Sequence, residues 1–172
     1  MIPHAELPAA LHSALAECQR HQQLLQSAWQ EANLLPALQG TTLEAFAPEE
    51  LRILDQLAFR FGKLQDSLGR RVLPTLMQIL LEWSEQESFL DILQRAEKRR
   101  IIPSVSAWLA LRQLRNQLAH EYPDHPERVL SNLRALVEQT PLLLTIHHHL
   151  RSWIIDHLGD SLPNHPALEP HA

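Results

Sequence analysis

Residues 48–72 read PEELRILDQLAFRFGKLQDSLGRRV, and this stretch decides the fold class. Leu51, Leu54, Ala58, Phe61, Leu64, Leu68 and Val72 recur at spacings of three and four. That period turns one continuous apolar stripe to one side of a helix, wide enough for a bundle core. Pro48 at the start needs no N–H, and Glu49 and Glu50 place negative charge on the first turn, where the helix dipole favours it. Pro74, just beyond, should kink the helix or split it before Leu76 to Trp83, because its ring removes one ladder hydrogen bond.

The same arithmetic extends in both directions. A first helix is expected over roughly 5–35, ended by Pro36, Gly40 and Thr41. A short helix is expected over about 88–100, then a break at Pro103, with Ser104 or Ser106 as the cap of a fourth helix. Trp108, Leu111, Leu114 and Leu118 form that helix's apolar face, and Pro123 should end it at residues 120–122. A last helix starts after Asp124, runs past Pro141 and ends near Leu158-Gly159. With four glycines and 45% hydrophobic residues in 172, the chain is expected to be all-α: an antiparallel bundle of four to five helices. One domain should cover 1–158, and the proline-rich, aperiodic 159–172 should be a disordered tail.

Cys18 is the only cysteine, so neither an internal disulfide nor a cysteine-based zinc site can form, and the cytoplasm is the expected compartment. No basic start followed by an apolar run marks a signal peptide, and no apolar run approaches membrane-spanning length. A net charge of −5 argues against indiscriminate nucleic-acid binding. The cations are nevertheless clustered. Arg60, Lys63, Arg70 and Arg71 form one group; Arg95, Lys98, Arg99, Arg100, Arg112 and Arg115 form another. Solvated helix faces explain such groups in the plain case; a cationic cleft suited to a phosphodiester is the sharper reading, with Arg60, Lys63, Arg99 and Arg112 as phosphate-binding candidates.

The segment Arg115-Asn116-Gln117-Leu118-Ala119-His120-Glu121-Tyr122 carries the chemistry. It places a planar guanidinium fork, an amide, an imidazole able to serve as acid or base and the chain's only tyrosine at a helix end. Asn116 precedes His120 by four residues, one face of an ideal helix, whereas Arg115 and His120 are about 140° apart on the helical period. This segment resembles the R-x4-H-x-Y signature of the HEPN superfamily, in particular HepT-like toxins that partner small nucleotidyltransferases. The stretch from Phe59 to Asp66, and Trp108 leading into Asn116, are similar to segments preceding that signature, so the resemblance spans roughly 48–135.

The resemblance implies a helical homodimer with a composite, metal-independent ribonuclease site of Arg115, Asn116 and His120. It further implies a cognate nucleotidyltransferase that attaches AMP to Tyr122, with RNA as substrate and no cofactor. A non-catalytic subunit that binds a nucleotide or the nucleotidyltransferase is the rival expectation. The plainer reading of the residues is that Arg115 and His120 complement the carbonyl dipoles at a helix end, with Tyr122 as a half-buried ring. Arg151 and His157 lack the Asn and Tyr of the motif and read as coincidence. His147, His148 and His149 fan out around a helix without a ligand partner four residues away, so solvated or interfacial histidines are expected there and no metal.

Overall fold

The computed structural model describes residues 6–84, 86–120 and 124–159. Its α-helices are α1 (Leu7–Ala32), α2 (Pro48–Ser67), α3 (Leu73–Ile79), α4 (Phe89–Lys98), α5 (Val105–Leu118) and α6 (Pro126–Leu158). Among the described residues there is no strand. The architecture is an all-α bundle, and if α2 and α3 are taken as one rod it has the five segments expected. No helix among the described residues is long and apolar enough to cross a membrane.

Helix α2 is the central element. Leu54, Leu57, Phe61 and Leu64 along it are all at 1% exposure or less, the apolar stripe read from the sequence with Leu57 added. Leu51, expected in that stripe, is instead 38% exposed, because at 100° per residue it stands about 100° from the centre of the buried face of Leu54, Leu57, Phe61, Leu64 and Leu68. Helix α1 lies antiparallel to α2. Ser67 donates to Glu17 at 2.6 Å, and Arg60 donates to His21 Nδ1 at 3.1 Å, so rising numbers on α1 meet falling numbers on α2. The Ser67 hydrogen bond, followed by the charge of Arg71, holds the Glu17 carboxyl below the usual carboxylate range. Helix α5 is also antiparallel to α2: Trp108 meets Gly69, whereas Arg115 meets Asp66.

Helix ends follow their local chemistry. Ser88 and Asp91 form a reciprocal capping box on α4, with Asp91 accepting from the Ser88 N–H at 2.8 Å. Ser104 caps α5 through the Ala107 N–H at 3.2 Å. Both boundaries are the ones the serines predict. Leu81 (φ 56°) and Arg100 (φ 59°) end α3 and α4 in the left-handed conformation. Each closes a paired reverse hydrogen bond, Glu82 N–H to Met77 C=O and Ile101 N–H to Ala96 C=O, in positions where glycine is usual.

Two prolines lie within helical rods, and each is accommodated differently. In α6, Pro141 has no N–H to offer the carbonyl four residues earlier, Val137. Trp29 of α1 fills that gap, its indole Nε1 donating to Val137 C=O at 2.9 Å. In the α2–α3 rod, Pro74 would leave Arg70 C=O without its partner and bring its ring against that carbonyl. The rod is not split there. It widens into a π-turn over Leu68–Val72, closed by the Leu73 N–H to Leu68 C=O bond.

Cys18 is fully buried, and burial pushes its thiol up to about 12, so it behaves as a small apolar side chain. The histidine run divides. His148 and His149 are exposed, with His149 donating to Arg100 C=O at 2.7 Å. His147, expected to be solvated or interfacial, is only 3% exposed, because its position on α6 follows Leu143 and Ile146 onto the core side. Burial, reinforced by Arg151 and His148, lowers its pKa from 6.5 to about 4.

Trp29→Phe leaves Val137 C=O buried and unpartnered, and is expected to cost about 1–3 kcal/mol in chemical denaturation. His147 makes a separate prediction. Its folded pKa lies below its unfolded one, so between pH 6.5 and about 4 the unfolded chain binds the extra proton. The stability it allows is present in full above pH 6.5 and declines as pH falls to 4, by roughly 3 kcal/mol at about 1.4 kcal/mol per unit. His147→Leu should flatten that segment of the stability–pH curve; an unchanged slope would contradict it.

Candidate functional site

On α5, Trp108, Arg112 and Arg115 follow one another at spacings of four and three, with Asn116 beside the last. They lie next to the buried stripe of Trp108, Leu111 and Leu114, so this face leads from the core to the surface. It closes against the α2–α3 rod at the π-turn. The result is a cleft of about 350 Å³. One wall carries Gln65, Asp66, Gly69, Arg70 and Pro74, and the other carries Arg112, Arg115 and Asn116. The Trp108 and Phe89 rings, with centroids 6.3 Å apart and planes at 58°, form the apolar part.

The π-turn shapes this cleft. Gly69 and Arg70, within this wide turn, lie on the α5 side, where Gly69 meets Trp108 and both line the cleft. Gly69 is required by close approach: a Cβ there would stand 3.0 Å from Trp108 Cζ2 and 3.4 Å from Phe89 Cζ. Even alanine there would require the indole to give by a few tenths of an ångström.

Arg115 is half-buried and donates to Asp66 Oδ2 at 2.7 Å and, more weakly, to Asn116 Oδ1 at 3.4 Å. The Asp66–Arg115 pair also borders a second cleft of about 310 Å³ lined by Phe59, Gly62, Lys63, Leu118 and Ala119. The two clefts therefore meet at this ion pair. Three guanidiniums (Arg70, Arg112 and Arg115) and one carboxylate (Asp66) give the first cleft an excess of two positive charges. This local excess lies within a chain of net charge −5.

The sequence-predicted residues are distributed unevenly around this point. Arg115 and Asn116 line the first cleft together with Arg112, whose guanidinium lies 5.4 Å from the Phe89 ring centroid. Lys63 lines the second cleft, with Nζ 5.4 Å from the Phe59 centroid. Arg60 turns toward α1 and His21, whose pKa is lowered first by burial and then by that guanidinium. Arg99 is engaged by Glu82 in a separate depression with Leu81, Arg95 and Lys98. His120 is exposed and lines neither cleft. Helix α5 ends at Leu118, two residues short of it, and the His120 N–H donates to Gln117 C=O at 3.3 Å. Ideal-helix rotation thus fixes neither its relation to Arg115 nor a shared face with Asn116. Tyr122 lies outside the described residues, as do residues 160–172 of the expected tail.

Sequence reasoning assigned no role to Gln65, Asp66, Gly69 or Phe89, and counted Arg70 only in a charge group. The signal was present in part: Trp108-Arg112-Arg115 on one face, and an arginine four residues before a proline. Among the described residues, no group of His, Cys, Asp and Glu side chains could hold a metal ion. No protein-family model, curated protein or solved structure matches the chain.

Because Asp66 and Arg115 are each about one-third exposed, their pair contributes little to stability. Asp66→Asn is expected to change unfolding free energy by less than about 1 kcal/mol. A larger loss in urea titration would assign the pair a structural rather than a site role.

Proposed function

We propose that this protein is a HepT-like, metal-independent endoribonuclease of the HEPN kind. It would act as the toxin component beside a small nucleotidyltransferase. The observation that supports this most is the Arg115 guanidinium, held by Asp66 and Asn116 where two clefts meet, one of them rich in arginine. Phosphoryl transfer within RNA needs donors for the charge that develops on the phosphate, and a planar fork beside further cations supplies them. In this reading His120 takes the proton of the ribose 2′-hydroxyl and that oxygen attacks the adjacent phosphorus. The 5′-oxygen then leaves with a returned proton.

His120 lies outside the arginine cleft of its own chain. A homodimer that brings α5 of one protomer to α5 of its partner would place one chain's His120 near the other's Arg115. AMP attached to Tyr122 would add bulk and negative charge to the RNA path, by the same logic as phosphorylation. The placing of His120 also favours a second reading, a non-catalytic subunit that binds the nucleotidyltransferase or a nucleotide through the cleft.

The test is incubation of the purified protein with tRNA and mRNA, with and without EDTA. Cleavage that persists in EDTA is expected, with His120→Ala and Arg115→Ala each reduced at least ~100-fold and folded as the wild type. Arg115→Lys should also fall substantially, since a point charge cannot reproduce the fork. Sedimentation should give twice the 19.7 kDa chain mass. Co-expression with the nucleotidyltransferase should yield AMP adducts on wild type and none on Tyr122→Phe. An intact dimer that cuts no RNA would leave the binding-subunit reading.

A further inference from the structure

The seam between α1 and α2 holds one imidazole in a single protonation state. Arg60 donates from Nη1 to His21 Nδ1 at 3.1 Å. A guanidinium has no acceptor, so Nδ1 must present its lone pair and the neutral ring carries its proton on Nε2. That nitrogen stands 3.8 Å from Glu17 Oε1, an oxygen that also accepts from the Ser67 hydroxyl, while Arg71 takes the other carboxylate oxygen. The charged groups facing the ring are Glu17 and Arg20 from α1 and Arg60 and Lys63 from α2. Arg60 is held at a cost: its Nε is buried without a partner, and His21 is its only acceptor among the described residues. Its guanidinium carbon lies 5.2 Å from the Phe59 ring centroid, and Lys63 Nζ lies 5.4 Å from the same centroid. Phe59 and Lys63 line the second cleft, and Arg60 stands just outside it.

We propose that His21 is a proton-operated latch: neutral, it keeps Arg60 on the α1 side; protonated, it pairs with Glu17 and releases Arg60 to the rim of the second cleft beside Lys63. A proton added at Nδ1 forms one N–H bond and consumes the lone pair that Arg60 uses. It also sets two like charges at the 3.1 Å now spanned by a hydrogen bond. The imidazolium finds its counter-ion one turn away. Glu17 stays ionised on acidification, because the Ser67 hydrogen bond holds its carboxyl below the usual carboxylate range. The exchange therefore needs one proton and one change of partner. Burial first, and then the Arg60 charge, lower the His21 pKa from 6.5. The latch is thus shut at neutral pH and opens on the acid side of 6.5, as histidine switches do when protonation biases two arrangements. At neutral pH Lys63 and Arg115 against Asp66 leave the second cleft with one excess positive charge. A released Arg60 raises that excess to two, so the hold on anions tightens as pH falls. The latch belongs to the α1–α2 seam and stands whether or not the protein cleaves RNA.

The test is nitrogen-15 NMR of the full chain from about pH 7.5 to about pH 5, read at the His21 ring and the Arg60 side chain. At the upper pH His21 should be the Nε2–H tautomer with Nδ1 unprotonated. On acidification the His21 ring and the Arg60 Nε–H signal should change with one shared midpoint below 6.5. Arg60→Met, which keeps the stem and removes the donor, should raise the His21 midpoint. His21→Gln, whose amide oxygen accepts at every pH, should hold the Arg60 signal constant. Calorimetric titration with sulfate, whose charge is fixed over this range, reads the consequence. Between the two pH values wild-type affinity should gain roughly threefold more than His21→Gln affinity, the scale of one exposed charge pair. An Nδ1–H tautomer at neutral pH overturns the proposal, and so does an Arg60 signal that ignores the His21 titration. Equal gains in sulfate affinity in wild type and His21→Gln overturn it as well. Should His21→Gln fail to fold, the wild-type tautomer and the Arg60→Met midpoint still decide, and an unchanged midpoint counts against the latch.

Discussion

Pro74 has no N–H, and the form of the α2–α3 rod depends on that absence. Within a regular helix the ring would press on Arg70 C=O and leave it without a donor. A break would expose Leu73, Leu76 and Met77, all fully buried. Widening one turn costs less than either, and the Leu73 N–H to Leu68 C=O bond closes it. The rod stays continuous, so its apolar stripe still faces α1, α5 and α6. Gly69 and Arg70 lie within the widened turn, on the side that faces α5.

Two features, one on the rod and one on α5, make that turn part of a site. Gly69 lets the Trp108 indole come to the rod surface, and the one-face spacing of Trp108, Arg112 and Arg115 continues outward from it. The floor is therefore aromatic and the rim is cationic, with Asp66 orienting one of the three guanidiniums. Electrostatics at this rim is local. The chain as a whole is acidic, and Arg71, Arg95 and Arg99 are each bound to a glutamate. At the first cleft guanidiniums outnumber carboxylates, so this part of the surface offers cationic donors to an anion.

Pro141 shows the other solution to the same problem. Helix α6 keeps its regular path, and a side chain from α1 replaces the missing donor, Trp29 to Val137 C=O. The bond joins residues far apart in sequence, so the partner of the carbonyl that Pro141 orphans is a tertiary property. Arg134 adds a similar link, donating to Leu38 C=O at 2.7 Å and to Gly40 C=O, which fastens the 36–40 turn to α6. Each of these contacts serves backbone carbonyls that local structure leaves without partners.

What the sequence determined by itself is what depends on neighbours within one or two turns. The helices, the serine cap of α5, the buried faces of α2 and α5 and the apolar state of Cys18 follow from periodicity and side-chain chemistry read in place. Arg115 and Asn116 were singled out by the resemblance of their segment to a known signature, and both line the first cleft. What only the tertiary structure decided is which charges meet and which are taken. It paired Arg115 with Asp66, spent Arg99 on Glu82, turned Arg60 to His21, set His147 inside and left Leu51 out. It also chose a wide turn at Pro74 over a kink, and Gly69 and Arg70 of that turn line the cleft beside Gln65 of α2. The reason is physical: a helical pattern states which face is apolar, but long flexible cations and proline-orphaned carbonyls take partners from other helices. Those partners exist only once the helices have packed.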